Sequence, residues 1–169
     1  MEDLERIGYA QMAFGAGVAL FLGWGAINVV IGLLGPIVSG TGSALVADIL
    51  VLSPRTDAAM FGGDPNALVR EFPPLRELQR VLIYWLGAAL AAFGLLVIAV
   101  PWFGLRRGEP WALPALTACW LVTLAGFALV FKRYADAGVS LSLSDLPPLF
   151  HYPAFLVTPA ILLSWIGLR

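Results

Sequence analysis

Residues 11–38, 81–105, 111–131 and 150–168 contain no Asp, Glu, Lys or Arg. Each stretch is close to or longer than the roughly 20 apolar residues a helix needs to cross about 30 Å of hydrocarbon. Transmembrane β-strands alternate apolar and polar residues over about ten positions, and these runs are continuous. The pattern therefore predicts an all-α, four-helix transmembrane bundle, a single membrane domain with a long, partly helical loop at about 39–80. Composition agrees: 60% of the 169 residues are hydrophobic and 12% are charged. A soluble surface would need about twice that charge, so the apolar excess is expected to face lipid.

The same composition removes several chemistries. Net charge is −1, which argues against nucleic acid as a partner. The single Cys119 rules out an intrachain disulfide and thiol-pair redox exchange. The single His151 rules out bis-histidine haem, and one Cys with one His falls short of a structural zinc site. No cofactor and no metal are expected. The spans hold no ionisable residue at mid-depth, which argues against proton relays, voltage sensing and ion-coupled transport. The acidic opening, Met1-Glu2-Asp3-Leu4-Glu5-Arg6, does not read as a cleaved signal peptide.

The connections differ in length. Arg106-Arg107-Gly108-Glu109-Pro110 makes the second and third spans antiparallel neighbours. In the long loop, Ala44 to Leu52 is apolar but too short to span, and is expected at the interface or the bundle mouth. Asp64-Pro65 reads as an N-cap followed by proline at the first helical position. Pro73-Pro74 ends that turn, and Pro74 opens a helix that runs into the second span. Arg6, Arg106, Arg107 and Arg169 fall on one side and Lys132, Arg133 and the long-loop arginines on the other. Basic density in the short connections places both termini in the cytoplasm, across an inner or plasma membrane. Trp102 and Trp111 flank the Arg106-Arg107 turn as an aromatic belt would, and the arginines suit anionic headgroups.

In lipid, helices associate by close backbone approach at small residues. Gly15, Ala19 and Gly23 share a face of the first span, with Gly25 and Gly32 on an offset stripe. Gly87, Ala91 and Gly94, then Ala118, Ala125 and Gly126, then Ala160, Ser164 and Gly167 mark the other spans. These faces suit packing within the chain, with a homo-oligomer or a membrane protein partner as the alternative.

Five residues stand out as binding candidates. Asn28, the most polar side chain in mid-span, either contacts a ligand or, as favoured here, bridges two helices, with Thr117, Cys119, Thr123, Thr158 and Ser164 as partners. His151 and Tyr152 begin the fourth span, with Asp136 and Asp145 in the connection before it. That set suits a general base or a proton-linked switch, or simply an interfacial His beside an interfacial Tyr. Pro159 should kink the fourth span and open a small crevice. Asp57, Asp64, Glu71, Glu77, Arg70 and Arg76 either line an outer site or, as favoured here, form a solvated face.

The layout resembles that of uncharacterised small bacterial four-span integral membrane proteins. These also have a longer loop after the first span and a turn like Arg106-Arg107-Gly108-Glu109-Pro110-Trp111. The resemblance implies a bacterial inner-membrane location and no particular activity. The four-span fold of sterol isomerases would carry acidic residues within its spans, and none is present. Three functions are expected, in this order: a non-enzymatic accessory or interaction subunit; a small membrane enzyme or binding protein for a lipid or isoprenoid with a site near the membrane edge; or an oligomeric pore lined by Asn28, Thr117 and Thr123.

Overall fold

The structure is a computed structural model that describes residues 2–40, 52–146 and 148–168. Among the described residues every regular element is helical. Helix α1 spans Glu2–Gly40, α2 Pro54–Phe61, α3 Pro65–Glu71, α4 Pro73–Ala99, α5 Ala112–Asp136 and α6 Pro148–Gly167. Three apolar stretches are long enough to cross a bilayer: Ile7–Ile37, Pro73–Arg107 and Ala112–Asp136. The fourth, His151–Gly167, is shorter. The expectation for Ala44 to Leu52 lies, apart from the buried Leu52, outside the described residues.

The helix boundaries follow local chemistry. Ser53 caps α2 in a reciprocal capping box with Thr56, with Pro54 in the first turn. Gly62, at φ 75°, ends α2 in the left-handed conformation that a side chain would resist. Helix α3 opens on Pro65, as the sequence predicts. Helix α4 starts on Pro73, one residue earlier than expected, and the Phe72 carbonyl accepts from the amides of Leu75 and Arg76. After Ala99, α4 widens into a π-helical turn at Val100–Gly104 and then tightens into a 3₁₀ turn at Leu105–Arg107. Helix α6 continues through both Pro153 and Pro159.

The chain divides into two compact units. The first comprises Met1–Val29, Ala92–Leu124 and Tyr152–Arg169. Its core gathers Val18, Phe21 and Trp24 from α1, Val97 from α4, Leu113, Leu116 and Trp120 from α5, and Val157 and Ala160 from α6. Trp24 is 2% exposed and meets Phe93 and Trp120 edge-on, with ring centroids 5.4 and 6.3 Å away. Such edge contacts match the ring quadrupoles. The second unit comprises Val30–Ala91 and Ala125–His151.

Glycines set the helix contacts in each unit. In the first, a Cβ added to Gly25 would lie 2.8 Å from the Gly94 carbonyl oxygen, and one added to Gly94 would lie 2.6 Å from that of Gly25. In the second, Gly32 and Gly87 are in the same reciprocal relation, at 2.5 and 2.6 Å. In both places α1 and α4 run antiparallel with their backbones touching. Helix α6 approaches α1 in the same way, with Ser164 against Gly17 and Gly167 against Phe14 and Ala10. The stripe that packs is thus the offset one. Gly15 and Gly23 have no atom within 4 Å of an added Cβ, and neither does Gly126 of α5.

This division gives a direct test. Gly94→Leu and Gly32→Leu force the backbones apart, and overpacking of this kind costs about 1–3 kcal/mol. Both should lower the unfolding midpoint in mild detergent. Gly15→Leu should shift stability by no more than about 0.5 kcal/mol. Equal sensitivity at all three positions would contradict the assignment.

Candidate functional site

In the second unit, three helices line an open apolar groove of about 420 Å³. Phe61 ends α2, Pro65 and Val69 stand one turn apart on α3, and Leu75, Leu78, Gln79, Leu82, Ile83 and Leu86 form one stripe of α4. The three- and four-residue steps of that stripe place it on one helix face. It runs about 16 Å along α4 at 1.5 Å per residue. Gln79 is the one lining side chain with a polar end. The volume falls within the usual range for small-molecule sites.

Polar contacts hold the α2 wall of the groove in place. The Asp145 carboxylate accepts from Arg55 Nε at 3.2 Å, from Arg55 Nη2, from Ser53 Oγ at 3.1 Å and from the backbone amide and hydroxyl of Ser142 at 2.9 and 2.6 Å. Arg55 Nη2 also donates to the Ser140 carbonyl at 3.1 Å. These contacts lock the start of α2 onto the connection between α5 and α6. Hydrogen bonding from Arg55, then from Ser142, holds the Asp145 carboxyl well below the usual carboxylate range, against the opposing effect of burial. Asp57, 0% exposed, accepts from the Tyr134 hydroxyl at 2.6 Å and from the Leu52 amide at 3.2 Å. A carboxylate buried this deeply depends on such donors.

The residues singled out in the sequence are placed differently from one another. The Asn28 side chain donates to the Trp24 carbonyl at 2.8 Å, one turn back on its own helix, so this bond does not bridge two helices. Thr117 and Thr123 likewise bond back to Leu113 and Cys119. Asp136 takes Lys132 Nζ in an exposed pair at 2.6 Å. Asp145 belongs to the α2 lock. His151 is partly exposed, Tyr152 is half exposed, and among the described residues His151 makes no ion pair or hydrogen bond with Asp136 or Asp145. The acid–base set is therefore not assembled. No group of three or more His, Cys, Asp and Glu side chains is placed to hold a metal ion among the described residues.

The long-loop charges also divide. Asp64 with Arg70, and Glu77 with Arg80, are exposed pairs, as the solvated-face reading expects. Asp57 is buried, which that reading missed. Ser53-Pro54, a helix cap followed by proline at the first position, signals the start of α2, but the burial of Asp57 depends on Tyr134, 77 residues away, and has no local signal. No protein-family model matches the chain, and no curated protein or solved structure matches it.

Two measurements check the lock. Tyr134→Phe leaves buried Asp57 short of a donor, at a cost of about 1–3 kcal/mol, and should lower the unfolding midpoint. For Asp145, the folded-state value lies below that of a free carboxylate. Its contribution is therefore complete above the usual carboxylate range and disappears as pH falls through the lowered value. The difference in midpoint between wild type and Asp145→Asn should stay constant from neutral pH to about pH 4 and shrink below it. A difference that vanished between about pH 7 and 5 would contradict the ion pair.

Proposed function

We propose that the chain is a non-enzymatic integral membrane protein that crosses the bilayer four times with both termini in the cytoplasm, and that its groove holds one hydrocarbon chain of a lipid or isoprenoid. One observation carries this reading: the apolar cavity formed by Phe61, Val69, Leu75, Leu78, Leu82 and Leu86 where the long loop enters the second span. The stripe continues the lipid-facing surface of α4, where Leu82, Trp85 and Leu86 are more than half exposed. A bilayer chain can therefore enter the groove without leaving an apolar environment. The flanking charges are self-neutralised as Asp64–Arg70 and Glu77–Arg80, so the apolar part of the ligand supplies the affinity. The fourth crossing is α6, whose 20 residues extend about 30 Å. Its apolar stretch, His151–Gly167, stands at the short end of spanning lengths.

The test is native mass spectrometry after mild extraction, with wild type, Leu78→Trp and Leu82→Trp. Wild type should retain one chain-bearing molecule per protein. Filling the groove should cut retention about tenfold, the equivalent of about 1.4 kcal/mol. His151→Ala should leave retention unchanged. Equal retention by wild type and both tryptophan variants would sink the proposal.

A further inference from the structure

The turn that ends α4 is built around two arginines placed unlike most of the other cations described. Arg55, Arg70, Arg80 and Lys132 each face a carboxylate. Arg106 and Arg107 make no ion pair among the described residues, although Glu109 is nearby in the chain. They lie over aromatic rings instead: Arg106 Cζ rests 4.2 Å from the Trp102 ring centroid, and Arg107 Cζ stands 6.0 Å from that of Phe103, at the outer reach of such a contact.

The backbone sets both contacts. The π-helical turn at Val100–Gly104 and the 3₁₀ turn at Leu105–Arg107 set each arginine four residues after its ring. Buried Pro101 and Leu105 anchor the turn, and the Trp111 ring packs beside Gly104, 3.0 Å from where a Cβ would stand. Gly108, at φ 72°, closes it, with its amide bonded to the Leu105 carbonyl at 2.9 Å. Trp102, Phe103 and Trp111 remain about half exposed, as suits rings at the bilayer interface.

A guanidinium lying on a ring uses its face for the stack and leaves its N–H edge for an acceptor. That edge matches two oxygens of a phosphate. Neighbouring residues on a 3₁₀ turn point in different directions, about 120° apart, and the two arginines lie over two different rings. We infer that Arg106 and Arg107 form two separate clamps, each taking the phosphate of one anionic lipid headgroup. The turn is then a headgroup-reading element independent of the groove in the second unit.

The experiment uses the full chain in nanodiscs of phosphatidylcholine with a minor fraction of phosphatidylglycerol. Native mass spectrometry reads the bound phosphatidylglycerol for wild type, Arg106→Gln, Arg107→Gln, the double variant and a Lys132→Gln/Arg133→Gln control. Each single variant should lose about fivefold in preference for the anionic lipid and the double about twenty-five-fold. The control should match wild type. Arg106→Lys keeps the charge but loses the planar fork, and should fall between wild type and Arg106→Gln. The inference is overturned by unchanged preference in the double variant, by an equal loss in the control, or by a double variant no worse than either single, which would mean one shared phosphate. It is also overturned if excess inorganic phosphate abolishes the preference, since the site would then bind the free anion.

Discussion

Backbone contact at glycine is the constraint on which the rest of this structure depends. Lipid tails are as apolar as leucine, so burying apolar side chains does little to bring helices together inside a bilayer. What remains is close packing, and α1 and α4 achieve it by removing side chains where they touch. Gly25 lies against Gly94 in one unit and Gly32 against Gly87 in the other. On each helix the paired positions are seven residues apart, two turns on one face. Larger residues in these places would separate the helices and forfeit the dispersion contacts that hold them.

The second unit solves a different problem. A short helix such as α2, eight residues long, is marginal on its own. It is held by a capping box, by Arg55 and Ser53 on Asp145, and by Asp57 under Tyr134. With α2 fixed, Phe61 stands as one wall of a groove whose other walls are α3 and the first turns of α4. Polar contacts position the helix, while the groove lining stays apolar, with Gln79 as its one polar side chain. This division of labour suits the hydrocarbon-binding role proposed for the groove.

Much of the fold was legible because its signals are local. Long runs without charge marked the apolar helices, and Pro65 and the Pro73-Pro74 pair marked helix starts to within a residue. Choosing between glycine stripes was not local. Gly15-Ala19-Gly23 has the tighter four-residue spacing, yet Gly25 and Gly32 are the glycines that meet α4. Which stripe packs depends on the partner helix, and Gly87 and Gly94 repeat at the matching seven-residue interval. The site was harder to see. Its lining comes mostly from ordinary leucines, with Phe61, Val69 and Ile83, whose common face appears only once α2, α3 and α4 fold together. The polar residues that drew attention, Asn28, Asp136 and Asp145, make local or structural bonds instead.

A structure determined in native-lipid nanodiscs tests the central claim most directly. The account predicts a continuous tube of non-protein density along Leu75, Leu78, Leu82 and Leu86, enclosed by Phe61 and Val69. A groove filled by polypeptide, closed by its own side chains or occupied only by water would contradict it.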